Sequence, residues 1–444
     1  MNNPLRIAHI RSWWWTLLPA FCGLVLTSFL FVLARNEQTW INHNRWLWFP
    51  QWPVFSDLAV TLEHFRDADR GLDPLTDPSS HFGYPRAALA LRHLHLQDFP
   101  SAWVGAVQAL VWMLAVIYIL RPRTMRRAVL TALLFISPPV WLGLERGNMD
   151  LMLFVLCVVA AVWWARSTTF TGLLWPVTAL SGAALLKIYP VFALIGGIWA
   201  ETGRRRLVWI GALAAVTGFW VFKLEEISLV LSKFPVAENA SWGCLIGLKK
   251  ILSLQPLTAG EGTMWAWAMG LGAYAMGFFA AGALGHGFAW KFENTRTERA
   301  DWAYYWMGSA ICCGSFVASN YAYRWVFALL TLPLLLRMTG ATRLLVSIWA
   351  RATLLTLALS LGVGWGRQVQ VFITEQVANW AYILLLVFGC FALRPQHASS
   401  APSEAEERQD EADSRSLEGL VAVEINKPFD GARMPDCSAA ERRR

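Results

Sequence analysis

Long apolar runs dominate the chain, and its polar positions gather in short clusters between them. A run of about 20 apolar residues is long enough to cross a hydrocarbon core as a helix. Such runs, some shorter, fall at 14–34, 102–120, 128–144, 150–165, 170–186, 188–201, 207–222, 263–283, 301–318, 325–336, 352–366 and 376–393. Ser137-Pro138-Pro139 breaks the third, and Lys187-Ile188-Tyr189-Pro190 splits the apolar stretch from 170 to 200. Proline at such points kinks or ends a helix. Two longer segments, 35–101 and 223–262, separate spans. Within the first, Phe55, Leu58, Leu62 and Phe65 repeat at i, i+3, i+7 and i+10, the apolar stripe of a helix lying on a membrane surface. Ser56 is its expected N-cap and Asp57 occupies its first turn. Arg70-Gly71 should stop it, with a turn at Asp73-Pro74. The pattern predicts an all-α polytopic membrane protein of about 12 transmembrane helices with one juxtamembrane helix.

Composition sharpens this. Of 444 residues, 56% are hydrophobic and 15% charged, against about 25% charged in soluble domains. That excludes a secreted enzyme, a cytosolic Rossmann enzyme and a nucleic-acid-binding domain. The 26 tryptophans suit interfacial belts. The net charge of +8 is unevenly placed. One set of short loops holds fourteen Lys and Arg residues and the opposite set four: Arg146, Lys187, Arg324 and Arg367. Positive loops stay inside, so both termini should be cytoplasmic, with 35–101 and 223–262 outside an inner (plasma) membrane. Arg6 and Arg11 precede the first run with no small-x-small site after it, which reads as a retained span. Residues 1–393 then form one transmembrane domain. The segment 394–444 turns acidic and poor in aromatics, as expected of a disordered cytoplasmic tail.

The seven cysteines form no C-x-x-C pair and no metal-ligand spacing with histidine. Neither a metal nor a cofactor is expected. Ala273, Gly277, Ala281 and Gly285 place small residues along one helix face, a packing seam. Asn239-Ala240-Ser241 matches a glycan-acceptor tripeptide, a pattern common by chance.

Candidate chemistry collects in four clusters, all on the outer side by loop charge. In the first, Asp57 either complements the positive end of its helix dipole or serves as a general base at the membrane boundary. His64, two turns on, could share its face or lie at the surface. The second is Glu145-Arg146-Gly147-Asn148-Met149-Asp150. Ionisable groups at membrane depth usually pair or mark a pathway, here a Glu145–Arg146 or Arg146–Asp150 ion pair or a binding site. In the third, Lys187 beside Tyr189 either snorkels to the interface or binds an anion. The fourth, Ser319-Asn320-Tyr321-Ala322-Tyr323-Arg324, offers a bidentate phosphate ligand or an interfacial aromatic and arginine anchor.

Together these residues resemble the GT-C superfamily of membrane glycosyltransferases, most nearly family 87, the polyprenyl-phosphate-mannose-dependent mannosyltransferases. The resemblance rests on Asp57-Leu58, Gly71-Leu72-Asp73-Pro74, Tyr84-Pro85, Gly147-Asn148-Met149-Asp150-Leu151 and the small-residue run Ser181–Leu186 ending in Lys187-Ile188-Tyr189-Pro190. It covers roughly residues 10–390. It implies a GT-C-like bundle whose active site lies on the outer face. It further implies a polyprenyl-phosphate-linked sugar donor, a lipid or glycan acceptor, and metal-independent inversion. Asp57 would be the base, and Lys187, Arg324 and Arg146 would hold the donor phosphate. His64, Tyr84, Glu145, Asn148, Asp150, Tyr189, Asn320 and Tyr323 would line the pocket. The alternative is a lipid-linked saccharide flippase or transporter, which would hold the phosphate with the same cations but need no base. Such a protein should carry polar groups deep in several spans, reaching both faces.

Overall fold

The computed structural model describes residues 4–35, 54–77, 80, 82–232, 241–244, 259–292, 298–317, 320–362 and 369–393. The acidic tail, Asn239 and Arg367 lie outside these residues. The described chain is almost wholly helical. In order, the α-helices are α1 (Pro4–Arg35), α2 (Ser56–Asp69), α3 (Ser101–Leu120), α4 (Met125–Phe135), α5 (Pro138–Arg146), α6 (Asp150–Arg166), α7 (Leu174–Leu186) and α8 (Val191–Ala200). There follow α9 (Gly203–Phe222), α10 (Leu224–Ser232), α11 (Ala259–Phe292), α12 (Arg299–Ser315), α13 (Leu332–Met338), α14 (Leu344–Gly362) and α15 (Val369–Ala392). Short 3-10 segments lie at Arg86–Leu94 and Ala322–Thr331. The β-pairing among the described residues is a two-residue bridge, β1 (Ser241–Trp242) antiparallel to β2 (Asn320–Tyr321).

Among the described residues, six helical stretches are long and apolar enough to cross a membrane: Trp15–Arg35, Ser101–Leu120, Gly203–Phe222, Trp267–Phe292, Leu344–Leu361 and Thr374–Ala392. The pair α4 and α5 makes a seventh if its 54° bend is one broken span. The bend falls at Ser137, where Pro138 and Pro139 can open a new helix because its first N–H groups have no helical partner anyway. Four of the remaining predicted spans form short α-helices, α6 and α12 of 17 residues, α7 of 13 and α8 of 10, while 325–336 falls on the 3-10 segment Ala322–Thr331 and the seven-residue α13. Helix ends also move outward. Helix α1 starts at Pro4 rather than at residue 14, and α11 at Ala259 rather than 263, because polar residues extend a helix that an apolar run only marks.

The small-residue ladder packs α11 against α15. A Cβ at Gly285 would lie 2.3 Å from the Phe388 carbonyl oxygen, and one at Gly277 would meet Leu384 at 3.0 Å. Only small residues allow that approach. A run of aromatic rings crosses the core: Trp112 of α3 to Phe154 of α6 at 5.8 Å, Phe154 to Phe327 at 6.3 Å, and Phe327 to Tyr189 at 5.5 Å. These contacts brace the turn that carries Lys187 and the segment that carries Arg324.

The stripe of α2 is not left to the lipid surface. Phe55, Leu62 and Phe65 are buried, the last two beside Leu75, Phe82 and Leu89. The segment after α2 folds back over it, and Arg66 donates to the Gln97 carbonyl at 2.7 and 3.0 Å. The sequence pattern shows which face is apolar but not which apolar surface meets it.

Candidate functional site

The site begins with how α5 stops. Gly147 takes φ +61, a region that favours glycine. Its N–H donates to Leu144 O at 3.1 Å and the next N–H to Gly143 O at 3.2 Å. These bonds close the helix and turn the chain sharply. Asn148 and Asp150 follow at once, and α6 starts at Asp150.

Helix α2 is fixed to this turn by Phe55. Its N–H donates to Glu145 O at 2.5 Å, and its φ is +61, unusual for a bulky residue. The ring is fully buried against two glycines. A Cβ at Gly105 would fall 2.4 Å from its Cγ, and one at Gly147 would fall 3.1 Å from its Cδ1. Ser56 is therefore not the N-cap: Phe55 holds that position without a side-chain bond, and Ser56 is the first helical residue.

This lock sets Asp57 two residues on. Arg146 donates to Asp57 Oδ1 through Nε at 2.9 Å and Nη2 at 2.7 Å. Asn148 donates to Oδ2 at 2.9 Å. The side chains of Asp57 and Arg146 keep 19% and 23% of their exposure, enough to be reached from outside. The expected local pairs of Arg146 with Glu145 or Asp150 give way to this longer-range pair. Two neighbours on a turn point apart, whereas α2 brings a carboxylate directly over the turn.

Asn148 joins a second ion pair. Its Oδ1 accepts from the Asp150 N–H at 3.0 Å and from Lys187 Nζ at 3.3 Å. Lys187 forms a close ion pair with Asp150 Oδ1, and the Tyr189 hydroxyl donates to the same oxygen at 2.6 Å. Lys187 is 5% exposed, so it does not snorkel; its charge is matched inside the protein. Its Nζ also lies 5.2 Å from the Tyr84 ring centre. Burial, then the charges of Asp57 and Asp150, hold the Tyr84 phenol far above its ordinary value, so it stays neutral.

Arg324 completes the cluster. It is buried, with its guanidinium 4.6 Å from the Tyr189 ring centre. Its Nε is 3.9 Å from Asp150 Oδ2, within ion-pair reach but too far for a hydrogen bond, and among the described residues neither atom has a hydrogen-bond partner. Among the described residues, three cations thus face two carboxylates, and Arg324 holds the longest of the three ion pairs. That leaves positive charge for an incoming anion.

The other expected residues divide. Glu145 is buried and supplies its backbone carbonyl to Phe55. His64 is buried rather than at the surface: its Nε2 lies 3.4 Å from Ser80 Oγ and its ring 5.3 Å from Phe82, on the seam between α2 and the segment covering it. Asn320 lies in β2, and the side chains of Asn320 and Tyr323 fall outside the described ones. Gln108 is an addition. It donates to the Asn148 carbonyl at 2.7 Å from inside α3, and the only sequence signal was an amide within an apolar run. Among the described residues, no three His, Cys, Asp or Glu side chains come together to hold a metal.

Comparison of the chain with protein-family models, with curated proteins and with solved structures finds no match.

Proposed function

We propose that this chain is a GT-C-type membrane glycosyltransferase that moves a hexose from a polyprenyl-phosphate-linked donor to a lipid or glycan acceptor. Mannose is the sugar the family 87 resemblance favours. In this reading the helices make a bundle of about 12 transmembrane elements in the plasma membrane. Both termini are cytoplasmic, and α2 with the Asp57 cluster lies at the outer face. The carrying observation is one carboxylate, partly exposed, fixed by Arg146 and Asn148 beside a cluster in which Arg324 keeps only a 3.9 Å ion pair to an Asp150 already paired with Lys187.

The chemistry follows from those positions. Asp57 Oδ1 is taken by the guanidinium, while Oδ2 accepts one amide hydrogen bond and keeps capacity for another. That oxygen accepts the proton of the acceptor hydroxyl as the hydroxyl oxygen attacks the anomeric carbon. The bond from that carbon to the phosphate oxygen breaks on the opposite face, inverting configuration. Arg324 meets the negative charge that the lipid phosphate gains on leaving. Lys187 is committed to Asp150, so it holds the frame on which Arg324 and Tyr189 sit. This departs from the expectation of three equivalent phosphate ligands. A donor already oriented toward developing charge contributes about 2.7–4 kcal/mol.

The test is transfer itself. Purified protein in lipid, given radiolabelled polyprenyl-phosphate-mannose and a membrane-lipid extract as acceptor source, should release lipid phosphate and form a labelled product. Transfer should persist with a chelator present. No labelled product, with donor binding intact, would favour the flippase reading over the enzyme.

A further inference from the structure

Two amide side chains stand apart from the networks above. Gln376 and Asn379 lie three residues apart in α15 and so share one face of it. Both are buried, Asn379 completely. Among the described residues, neither the nitrogen nor the oxygen of either amide has a hydrogen-bond partner. One turn on, the contrast is clear: the Tyr382 hydroxyl and Thr331 Oγ1 are hydrogen-bonded at 2.9 Å. Buried amide atoms left unpaired oppose folding, whereas leucine has the same bulk and no such groups. Four such atoms on one helix face therefore call for a ligand.

Their position ties them to the site. Trp380 packs on Phe316, just past the end of α12, at 5.3 Å, and Tyr382 packs on Trp325 at 5.2 Å. Trp325, like the Thr331 that bonds to Tyr382, belongs to the 3-10 segment that carries Arg324. With a rise of about 1.5 Å per residue, Asn379 and Gln376 sit roughly one and two turns before Tyr382 along α15.

We propose that Gln376 and Asn379 bind the hydroxyl groups of a neutral saccharide. An amide donates and accepts at once, as a sugar hydroxyl does. A phosphate would select cations, and a hydrocarbon chain would exclude amides. The amides are covered, so entry must part the side chains over them, offset by the hydrogen bonds the ligand supplies. Calling the occupant the acceptor sugar rests on the transferase reading; amide-to-hydroxyl recognition does not.

The experiment compares the full-length protein and its Gln376→Leu/Asn379→Leu variant in lipid nanodiscs. Two quantities are read: the thermal unfolding midpoint, and photolabelling by octyl mannoside with a diazirine in its alkyl chain. Octyl triethylene glycol ether with the same diazirine is the control probe. The variant should unfold at or above the wild-type midpoint. Mannoside labelling should fall about tenfold with control labelling unchanged, a size fitting the loss of one or two neutral hydrogen bonds. A lowered midpoint would mean the amides are bonded within the folded protein and would overturn the site. Undiminished mannoside labelling would overturn it too. Since neither readout needs transfer, a wild-type protein with no transferase activity would remove the proposed function and leave this site standing.

Discussion

Arg146 grips Asp57 Oδ1 through both Nε and Nη2, joining the end of α5 to the first turn of α2 across 89 residues of chain. A guanidinium does this because its donors lie in one plane; an ammonium is a point charge. Arg146→Lys should therefore keep the charge and lose the orientation. The expected outcome is a turnover about 10²-fold lower with donor affinity near wild type, since a misplacement of about 1 Å can cost that much. Steady-state sugar transfer checks it; unchanged turnover would show that the fork does not aim the carboxylate.

Lys187 and Arg324 should separate in their effects. Lys187→Ala strips a close partner from the buried Asp150, which typically costs about 3–5 kcal/mol. Thermal unfolding in detergent should show a large fall in the midpoint. Arg324→Ala removes only the longer, 3.9 Å ion pair to Asp150, so the midpoint should fall less while donor binding weakens most. Equal loss of stability in the two variants would contradict this division of roles.

How far the sequence reveals this arrangement depends on what each residue touches. Apolar runs locate the helices because burial in lipid or core asks the same of a run. They do not distinguish a helix that crosses from a short one such as α8, since ten apolar residues inside the bundle read like half a span. Asn148, Asp150, Lys187 and Arg324 stand out as polar groups at the ends of apolar runs, and Asp57 as the acid in the first turn of an amphipathic stripe. Their pairing is not legible: Asp57 meets Arg146, and Lys187 meets Asp150, across distances no local spacing encodes. The Phe55 lock is hidden for a similar reason. It needs two glycines from two other segments, and neither Gly105 nor Gly147 announces a ring against it.

The lock makes its own prediction. Gly105→Ala places a methyl 2.4–2.6 Å from three carbons of the Phe55 ring, a separation at which something must move. The ring, and with it the start of α2, should be pushed from the turn at Gly147. Turnover should fall by about 10²-fold. The double variant Gly105→Ala/Phe55→Leu, with a smaller side chain in the socket, should recover much of it. Kinetics of the pair check the idea, and a failure of the smaller side chain to rescue would point to damage elsewhere in α3.

Acid should loosen the segment covering α2 before it disturbs the helices. Arg86 donates to Asp73 at 2.6 and 3.1 Å, and its backbone N–H donates to Glu226 at 2.7 Å. Partial burial would raise the Asp73 carboxyl, but the Arg86 hydrogen bond and charge and the Leu75 N–H hold it below its ordinary value. A carboxyl lowered by folding stabilises above its unfolded value of about 3.9 and loses that effect as pH falls through the folded value. The contribution is at most about 1 kcal/mol because the pair is largely exposed. The hydrogen-exchange protection factors over residues 82–98, corrected for the intrinsic pH dependence of exchange, should fall below about pH 4 in wild type, with a smaller change in Asp73→Asn.

Asp57→Asn decides the central role. The substitution keeps the size of the side chain and one carbonyl oxygen for the Asn148 amide or for Arg146. It removes the charge and the ability to take a proton. If Asp57 is the base, turnover should fall by about 10²–10⁴-fold with donor binding largely intact, because Arg324 still faces the phosphate. If Asp57 only offsets the helix dipole and Arg146, the loss is one of stability. The dipole contribution is about 0.3–1 kcal/mol. The ion pair adds modestly to that, since both side chains keep about a fifth of their exposure. The unfolding midpoint would then shift while the surviving folded protein transferred sugar at near the wild-type rate. Measuring turnover per folded molecule separates the two, because a rate change of orders of magnitude cannot come from a small change in folded fraction. Near-normal transfer per folded molecule by Asp57→Asn would leave this carboxylate as a structural partner of Arg146, and the acceptor's proton would need another destination.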